Sequence, residues 1–166
     1  MMQLPVDALS RYAPSRSGLR IYAERRRLDV RYGVRIAGLG LLIPCPERVE
    51  IVAAGAICPI PLTPDWFAGM LKVRGNLLPV FDLAVFLGVE PDTESCWLMT
   101  VGRGPRAAAI FMDSLPVAVD TGERITDDAS PPAAMAPFIC FSCRHGGQVW
   151  HEVSFNNLFL HLRTQF

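Results

Sequence analysis

The chain has 166 residues, 51% of them hydrophobic, and its 16 basic and 16 acidic side chains leave no formal net charge. A chain of this length forms about one domain, or two very small ones that share a core, and its apolar content excludes wholesale disorder. The first residues lack the apolar core of a secretory signal. The uncharged apolar stretch of residues 36–46 is too short and too often broken by glycine and proline to cross a membrane. We therefore predict a cytoplasmic protein without membrane insertion.

The first part of the chain is rich in arginine. Residues 1–35 hold eight arginines against three acidic residues, a net charge of +5. We interpret residues 1–33 as a solvated N-terminal extension that is dispensable for folding, with binding to an acidic partner surface as the alternative. Lysine is nearly absent and no recognition motif accompanies the arginines, so we predict no binding to nucleic acid.

Beyond the extension, short apolar runs bounded by glycine or proline predict a chain made mostly of β-strands. The predicted strands cover residues 34–43, 48–53, 57–62, 96–101, 107–112, 115–119 and the chain from 138 onward. The three runs between 96 and 119 are typical of a β-meander, and residues 123–137 predict a polar loop.

The most informative part of the sequence, here named the hallmark segment, runs from Thr63 to Leu83. Thr63 is a good helix N-cap, Pro64 suits the first helical position, and Asp65 favours the positive end of a helix. We therefore predict one helical turn that ends near Gly69.

Two strands joined by a tight hairpin follow this turn. Arg74-Gly75-Asn76 interrupts an apolar run, and glycine and asparagine tolerate the positive φ that a tight hairpin needs. The second strand contains Pro79 and ends at Asp82, a good N-cap for a short helix. The segment therefore predicts a helical turn, a strand, a hairpin, a strand and a second helical turn.

This order of elements resembles the CheW-type coupling proteins of bacterial chemotaxis. The motifs that carry the resemblance are Pro64-Asp65-Trp66-Phe67-Ala68-Gly69, Val73-Arg74-Gly75 and Pro79-Val80-Phe81-Asp82-Leu83. Each motif alone has little specificity, but the complete series at this spacing is specific. The resemblance covers residues 34–162 and leaves 163–166 as a C-terminal tail. It implies a mostly-β fold of two small five-stranded β-barrel subdomains packed together, with short helical turns.

The resemblance also implies a function. Proteins of this type are non-catalytic adaptors without cofactors. They join the cytoplasmic tip of a methyl-accepting chemoreceptor to the regulatory domain of a CheA-type histidine kinase. We therefore expect recruitment to membrane-associated receptor arrays, in chemotaxis or in the related control of type IV pilus (twitching) motility. The residues expected to contact a partner are Val73, Arg74, Gly75, Asn76, Leu77 and Val80. Those expected to support the site are Thr63, Pro64, Asp65, Gly69, Pro79 and Asp82.

A weak internal repeat predicts two similar halves. A shift of 72 residues places residues 75–83 over 147–155, so that a hairpin glycine, an apolar strand and a small polar N-cap recur. The second copy has Val153-Ser154-Phe155 where proteins of the family usually repeat Leu-Asp-Leu. A degenerate member that serves only as a structural component of the array is therefore one alternative.

A second alternative is a metal-binding or redox protein built on Cys140, Cys143 and His145. Zinc needs a fourth ligand, and strand alternation places Cys140 and Cys143 on opposite faces. The cysteines of the chain are Cys45, Cys58, Cys96, Cys140 and Cys143. An odd number scattered through apolar strands favours reduced, mostly buried thiols over a disulfide framework. No serine or histidine lies in a nucleophile context, so we predict neither an enzyme nor a metal site.

Overall fold

The computed structural model describes residues 29–90, 97–125 and 130–166. Within those ranges the chain forms twelve β-strands and two α-helices, numbered here in chain order. The strands are β1 Val30–Ile36, β2 Leu39–Leu42, β3 Val49–Ala53, β4 Ile57–Cys58, β5 Phe67–Val73, β6 Asn76–Phe81, β7 Trp97–Val101, β8 Ala108–Met112, β9 Val117–Asp120, β10 Arg124–Ile125, β11 Ile139–His145 and β12 Gln148–Val153. The helices are α1 Leu83–Leu87 and α2 Phe155–Arg163, and 3₁₀ turns span Gly104–Arg106 and Ala136–Phe138. Residues 1–28 of the predicted extension lie outside the described part of the chain.

The strands form two sheets of six strands each. Sheet A has the order β10-β11-β12-β2-β1-β9, and sheet B has the order β3-β7-β8-β6-β5-β4. Neighbouring strands run antiparallel except in two parallel pairs, β12 with β2 and β6 with β8. The prediction of a mostly-β fold with two packed subdomains is confirmed. Each sheet has six strands where five were predicted, because a two-residue strand is added at one edge of each. This strand is β10 in sheet A and β4 in sheet B.

Both faces of the central strands are buried. One face of each sheet contributes to a shared core, which includes Val34 from β1 and Met99 from β7. The opposite faces enclose two smaller cores, with Leu42 and Trp150 in sheet A and Leu98 in sheet B. Since successive side chains of a strand point to opposite faces, such strands are apolar without interruption. This explains why the sequence shows continuous apolar runs and little alternation.

The two halves of the chain contribute equivalent strands. Each of the first six strands has a counterpart six strands later, so the order β4-β5-β6-β8-β7-β3 corresponds to β10-β11-β12-β2-β1-β9. The helices α1 and α2 follow the equivalent strands β6 and β12. Neither these helices nor any other in the described ranges is long and apolar enough to cross a membrane. The predicted repeat is confirmed in the topology, although each sheet draws strands from both halves.

Several strand predictions differ from the structure. The predicted strand over 34–43 is a hairpin of β1 and β2 that turns at Ala37 and Gly38, both with positive φ. β1 also begins at Val30, inside the segment assigned to the extension, because its first residues pair with β9 in sheet A. The β-meander is wrong as well. β7 and β8 pair with each other, but β9 crosses to sheet A.

Candidate partner-binding site

The hairpin between β5 and β6 carries most of the residues predicted to bind a partner. Its register pairs Val73 with Asn76, so that Arg74 and Gly75 alone form the turn. Both have positive φ, 47° for Arg74 and 85° for Gly75, as a two-residue type I′ hairpin requires. Glycine adopts this conformation at little cost, whereas an arginine is held in it by its surroundings. The predicted tight hairpin is confirmed.

An ion pair fixes the Arg74 side chain. Its Nη2 lies 2.6 Å from Oε1 of Glu50 on β3, with the Arg74 side chain 73% exposed and that of Glu50 30% exposed. Strands β7, β8 and β6 lie between β3 and β5 in sheet B. The ion pair therefore joins strands that are distant in a curled sheet. It positions the planar guanidinium and leaves further N–H donors available to a partner.

The other predicted contact residues differ in exposure. Those at the surface are Val73, which is half-buried, and Gly75, Asn76 and Leu77, which are exposed. Leu77 is 66% exposed, but Val80 is fully buried in the smaller core of sheet B. The prediction of Val80 as a contact residue is wrong, because strand alternation turns it inward while Leu77 faces outward.

Asp82 supports the hairpin from the far end of β6. Its Oδ1 accepts hydrogen bonds from the backbone N–H of Ala84 at 2.9 Å and of Val85 at 3.1 Å. The predicted N-cap of α1 is therefore confirmed. Pro79 lies within β6, opposite Met70 of β5.

The helical turn predicted for residues 63–69 is wrong. Pro64 and Asp65 lie in a turn closed by the N–H of Phe67, which donates to the carbonyl of Pro64 at 2.9 Å. Thr63 caps no helix here, because its hydroxyl donates to a backbone carbonyl three residues earlier at 2.7 Å. Phe67 already belongs to β5, and its ring packs against Phe81 with 5.8 Å between centroids. Packing on β6 outweighs the local helix signals.

Gly69 also has a role other than the predicted one. Its φ is 130°, and a Cβ at this position would lie 2.2 Å from the carbonyl oxygen of Cys58 on β4. The register between β5 and β6 shifts next to it. Gly69 therefore allows close approach of the edge strand β4, and it does not end a helix.

A group of basic side chains lies beside the hairpin. A cavity of about 190 Å³ next to Arg74 adjoins a larger cleft of about 530 Å³. The larger one, here named the arginine cleft, is lined by Pro46, Glu47, Arg48, Val101, Gly102, Arg103, Arg106, Asn156 and Phe159. The sequence pattern does not reveal these arginines as a group, since Arg48 begins a predicted strand and Arg103 and Arg106 lie between two other predicted strands. They are isolated in the sequence, and they meet where the β2–β3 and β7–β8 connections come together.

The cysteine and histidine residues do not support the metal-binding alternative. In residues 29–90, 97–125 and 130–166, no three His, Cys, Asp or Glu side chains are placed to hold a metal ion. Cys140 is exposed, whereas Cys143 is buried on the other face of β11. Cys45 and Cys58 are also exposed, in a connection and on an edge strand. This corrects the expectation that most thiols are buried; Cys96 lies outside the described residues.

Burial shifts the pKa values of two side chains, Cys143 and His151, but the surroundings of both indicate a structural role. Burial raises the pKa of the Cys143 thiol, which makes it a poor nucleophile. Burial lowers the pKa of His151, whose Nδ1 lies 2.7 Å from the hydroxyl oxygen of Ser142. Ser142 and His151 face each other across β11 and β12 and are 7% and 5% exposed. This arrangement is a cross-strand hydrogen bond closed to solvent.

The C-terminal residues pack against sheet B. The Arg163 guanidinium donates to the carbonyls of Pro105 and Ala107, both at 3.1 Å. The ring of Phe166 lies 5.0 Å from that of Phe67 in an edge-on contact. Residues 163–166, predicted as a tail, therefore contact the hallmark segment and the β7–β8 loop.

Two curated proteins are similar to part of the chain. The protein FrzA of Myxococcus xanthus is 35% identical over 75 residues, which are 45% of this chain and 45% of FrzA. The protein PilI of Pseudomonas aeruginosa is 33% identical over 88 residues, which are 53% of this chain and 49% of PilI. The matched part thus spans about half the length of these relatives.

A solved structure shows the same fold. The scaffolding protein TtCheW from Thermoanaerobacter tengcongensis matches with a TM-score of 0.58 at 20% sequence identity, over 75% of this chain and 83% of TtCheW. Residues 32–162, most of the chain, match the CheW-like domain family. The hallmark segment, the two packed sheets and this match agree, and the chain belongs to the CheW-like domain family.

Proposed function

We propose that this protein is a non-catalytic adaptor that couples a methyl-accepting chemoreceptor to the regulatory domain of a CheA-type histidine kinase. Membership of the CheW-like domain family supports this role, and TtCheW, which has the same fold, is a scaffolding protein. The setting is chemotaxis or the control of type IV pilus motility, at a membrane-associated receptor array.

The observation that carries the proposal is the β5–β6 hairpin. Arg74 is largely exposed but held by Glu50, and the exposed Leu77 lies next to it on β6. Arginine is enriched among the residues that dominate protein interfaces, and the fully buried centre of an interface is more apolar than its rim. A side chain that is already positioned loses little conformational entropy on binding. A fixed cation beside an exposed leucine therefore favours recognition of a protein surface.

The two partners require different surfaces. We place the helix pair of the receptor at the junction of the two sheets, where Val73 next to Arg74 is the preferred contact. The kinase regulatory domain, which is built from similar barrels, would dock on exposed strand ends of one sheet. Transient signalling contacts of this kind bury a small area, so we expect a micromolar dissociation constant for each. Avidity in the array then strengthens the binding.

Reconstitution tests the proposal. Receptor cytoplasmic fragments and kinase are assembled on a membrane template with or without this protein, and phosphorylation of the kinase is measured. We expect the protein to raise phosphorylation, and Arg74→Ala to lower this effect at a small cost in stability, no more than the about 0.5–1 kcal/mol expected for its ion pair with Glu50. The matched control is Arg124→Ala, which removes an arginine from β10 in sheet A.

Two outcomes would contradict the proposal. Kinase phosphorylation that does not respond to the wild-type protein, combined with no binding to either partner, excludes an adaptor. If the protein binds the receptor assembly without affecting the kinase, it is a structural component of the array. The latter function is the second candidate, since Ser154 stands where the family usually has an aspartate, and its side chain makes no capping hydrogen bond within the described residues.

A further inference from the structure

The arginine cleft holds three arginines against one carboxylate, that of Glu47, and is therefore positively charged. Arg48, Arg103 and Arg106 are all exposed, and none of them has an ion-pair partner within the described residues. Glu50, which lines the adjoining cavity, is already paired with Arg74. Like charges gathered in one cleft repel one another, and an anion bound between them relieves that repulsion.

The backbone holds two of the arginines on one side of a short turn. The 3₁₀ turn follows Arg103 and contains Arg106, whose N–H donates to the Arg103 carbonyl at 3.3 Å. Both side chains line the same cleft. The N–H of Gly102 donates to the carbonyl of Arg48 at 3.0 Å, which brings the third arginine to the same loop. The cluster is therefore a product of backbone geometry.

α2 anchors this loop. Arg163 donates to the carbonyls of Pro105 and Ala107 at 3.1 Å each, on either side of Arg106. Pro105 further restricts φ within the turn. The loop that carries Arg103 and Arg106 is thus positioned before any ligand arrives, which lowers the entropy cost of binding.

The rest of the lining indicates what kind of anion fits. A cleft of about 530 Å³ is large for one small anion and suits an extended ligand. Glu47 lies among the arginines and disfavours densely charged polyanions such as nucleic acid or polyphosphate. Asn156 can both donate to and accept from a peptide backbone, and Val101 and Phe159 form an apolar floor. Guanidinium groups match carboxylates in a planar, two-bond geometry.

We propose that the arginine cleft binds an acidic segment of a partner protein, with glutamate or aspartate side chains paired to Arg48, Arg103 and Arg106. The inference rests on the proposed adaptor function, which implies that the partner is a protein. The site lies beside the hairpin but uses residues outside the hallmark segment.

Fluorescence anisotropy with defined peptides tests this inference on the full chain. The probes are a short fluorescein-labelled peptide of alternating glutamate and alanine, and its glutamine analogue of equal length. We expect the glutamate peptide to bind more tightly than the analogue. R103Q/R106Q should weaken that binding by about tenfold, as expected for two partly exposed charge pairs. The control R124Q/R144Q removes the same charge from sheet A and should stay within about twofold of wild type.

Several outcomes would overturn the inference. They are equal binding of the two peptides, no binding of the glutamate peptide, an equal loss in the control variant, or tighter binding of inorganic polyphosphate in the cleft. The reconstituted array separates this inference from the adaptor role. If R103Q/R106Q couples receptor and kinase as well as wild type, the cleft has no part in coupling and the adaptor role stands. If the wild type fails to couple but binds the peptide through the cleft, the adaptor role alone is wrong.

Discussion

At the scale of single residues, the surroundings of a side chain decide its role more than its chemical type does. Gly69 and Gly75 both have positive φ, yet one lies against the backbone of β4 and the other faces open space. Asp82 and Ser154 occupy equivalent positions before α1 and α2, but the side chain of Asp82 accepts two capping hydrogen bonds. In each pair, a substitution at the first residue can be compared with the same substitution at the second.

Gly69→Ala should destabilise the protein more than Gly75→Ala. Both changes strain a backbone with positive φ, at about 1 kcal/mol. At Gly69 the new Cβ would in addition meet the carbonyl of Cys58 at 2.2 Å, so β4 must move away. We expect a total loss of about 2 kcal/mol or more, measured by urea unfolding. Equal losses for the two variants would show that the approach of β4 is not constrained.

Asp82→Ala should lower the free energy of unfolding by about 1 kcal/mol, because α1 loses its N-cap. Ser154→Ala is the matched control. Its hydroxyl makes no capping hydrogen bond in the described structure, so the change should stay within about 0.5 kcal/mol. Asp82→Asn retains an acceptor and should recover most of the loss. A Ser154→Ala cost as large as that of Asp82→Ala would contradict this account.

His151 should make stability sensitive to acid. Burial lowers its pKa in the folded protein, whereas in the unfolded chain it protonates near about 6.5. Its contribution to stability is therefore complete above about pH 6.5, and it is lost as the pH falls toward the lower folded pKa. His151→Asn removes this titration and leaves a polar partner for Ser142. We expect unfolding free energy to fall less between about pH 7 and about pH 5 in this variant.

The control for that measurement is Ser142→Ala, which removes the hydrogen-bond partner of His151 but leaves the buried imidazole in place. This variant should retain the loss of stability at acid pH. Parallel curves for wild type and His151→Asn would mean that another group controls acid sensitivity.

At the scale of elements, the β5–β6 turn was predictable and aromatic packing was not. The β5–β6 hairpin follows from local preferences, because Gly75 and its neighbours determine the two-residue turn. The helical turn predicted after Thr63 is wrong, since the contact between Phe67 and Phe81 across β5 and β6 outweighs the local helix signals. The arginine cleft was missed for a similar reason, because Arg48 reaches Arg103 only after β3 pairs with β7.

The ion pair between Arg74 and Glu50 should couple the hairpin to β3. A double-mutant cycle with Arg74→Ala, Glu50→Ala and the double variant measures the interaction. We expect a coupling energy of about 0.5–1 kcal/mol, because one partner is largely exposed and the other half-buried. High salt should reduce it. A coupling energy of zero would mean that the hairpin is positioned by its backbone alone.

At the scale of the whole molecule, the family motifs led to the correct fold class, but the path of the chain between the sheets was not predictable. The run over 115–119 has the character of any apolar strand, and nothing local tells it to pair with β1 instead of β8. The same holds for the parallel pairs β6–β8 and β12–β2, which join distant parts of the sequence. Each half of the chain thus exchanges strands with the other, and neither half contains a complete sheet.

Separate expression of the halves tests this exchange. Fragments 1–93 and 94–166 divide the chain between α1 and β7. Alone, each lacks the strands that pair with its own, so we expect no cooperative unfolding transition. Mixed, they should restore the circular dichroism spectrum of the intact protein. A fragment that unfolds cooperatively by itself would show that one subdomain is self-sufficient.

The correspondence of each strand with the one six places later has a consequence for ancestry. Two identical copies of a half-length polypeptide, related by a two-fold axis, would build both sheets by exchanging strands with each other. Such an isologous pair needs no new contact to become this fold, since it is enough to join the C-terminus of one copy to the N-terminus of the other. After fusion the copies are free to diverge, so one turn can keep Arg74 while its counterpart has Gly146 and Gly147. Gene duplication thereby converts a homodimer with two identical faces into a single chain with two different ones.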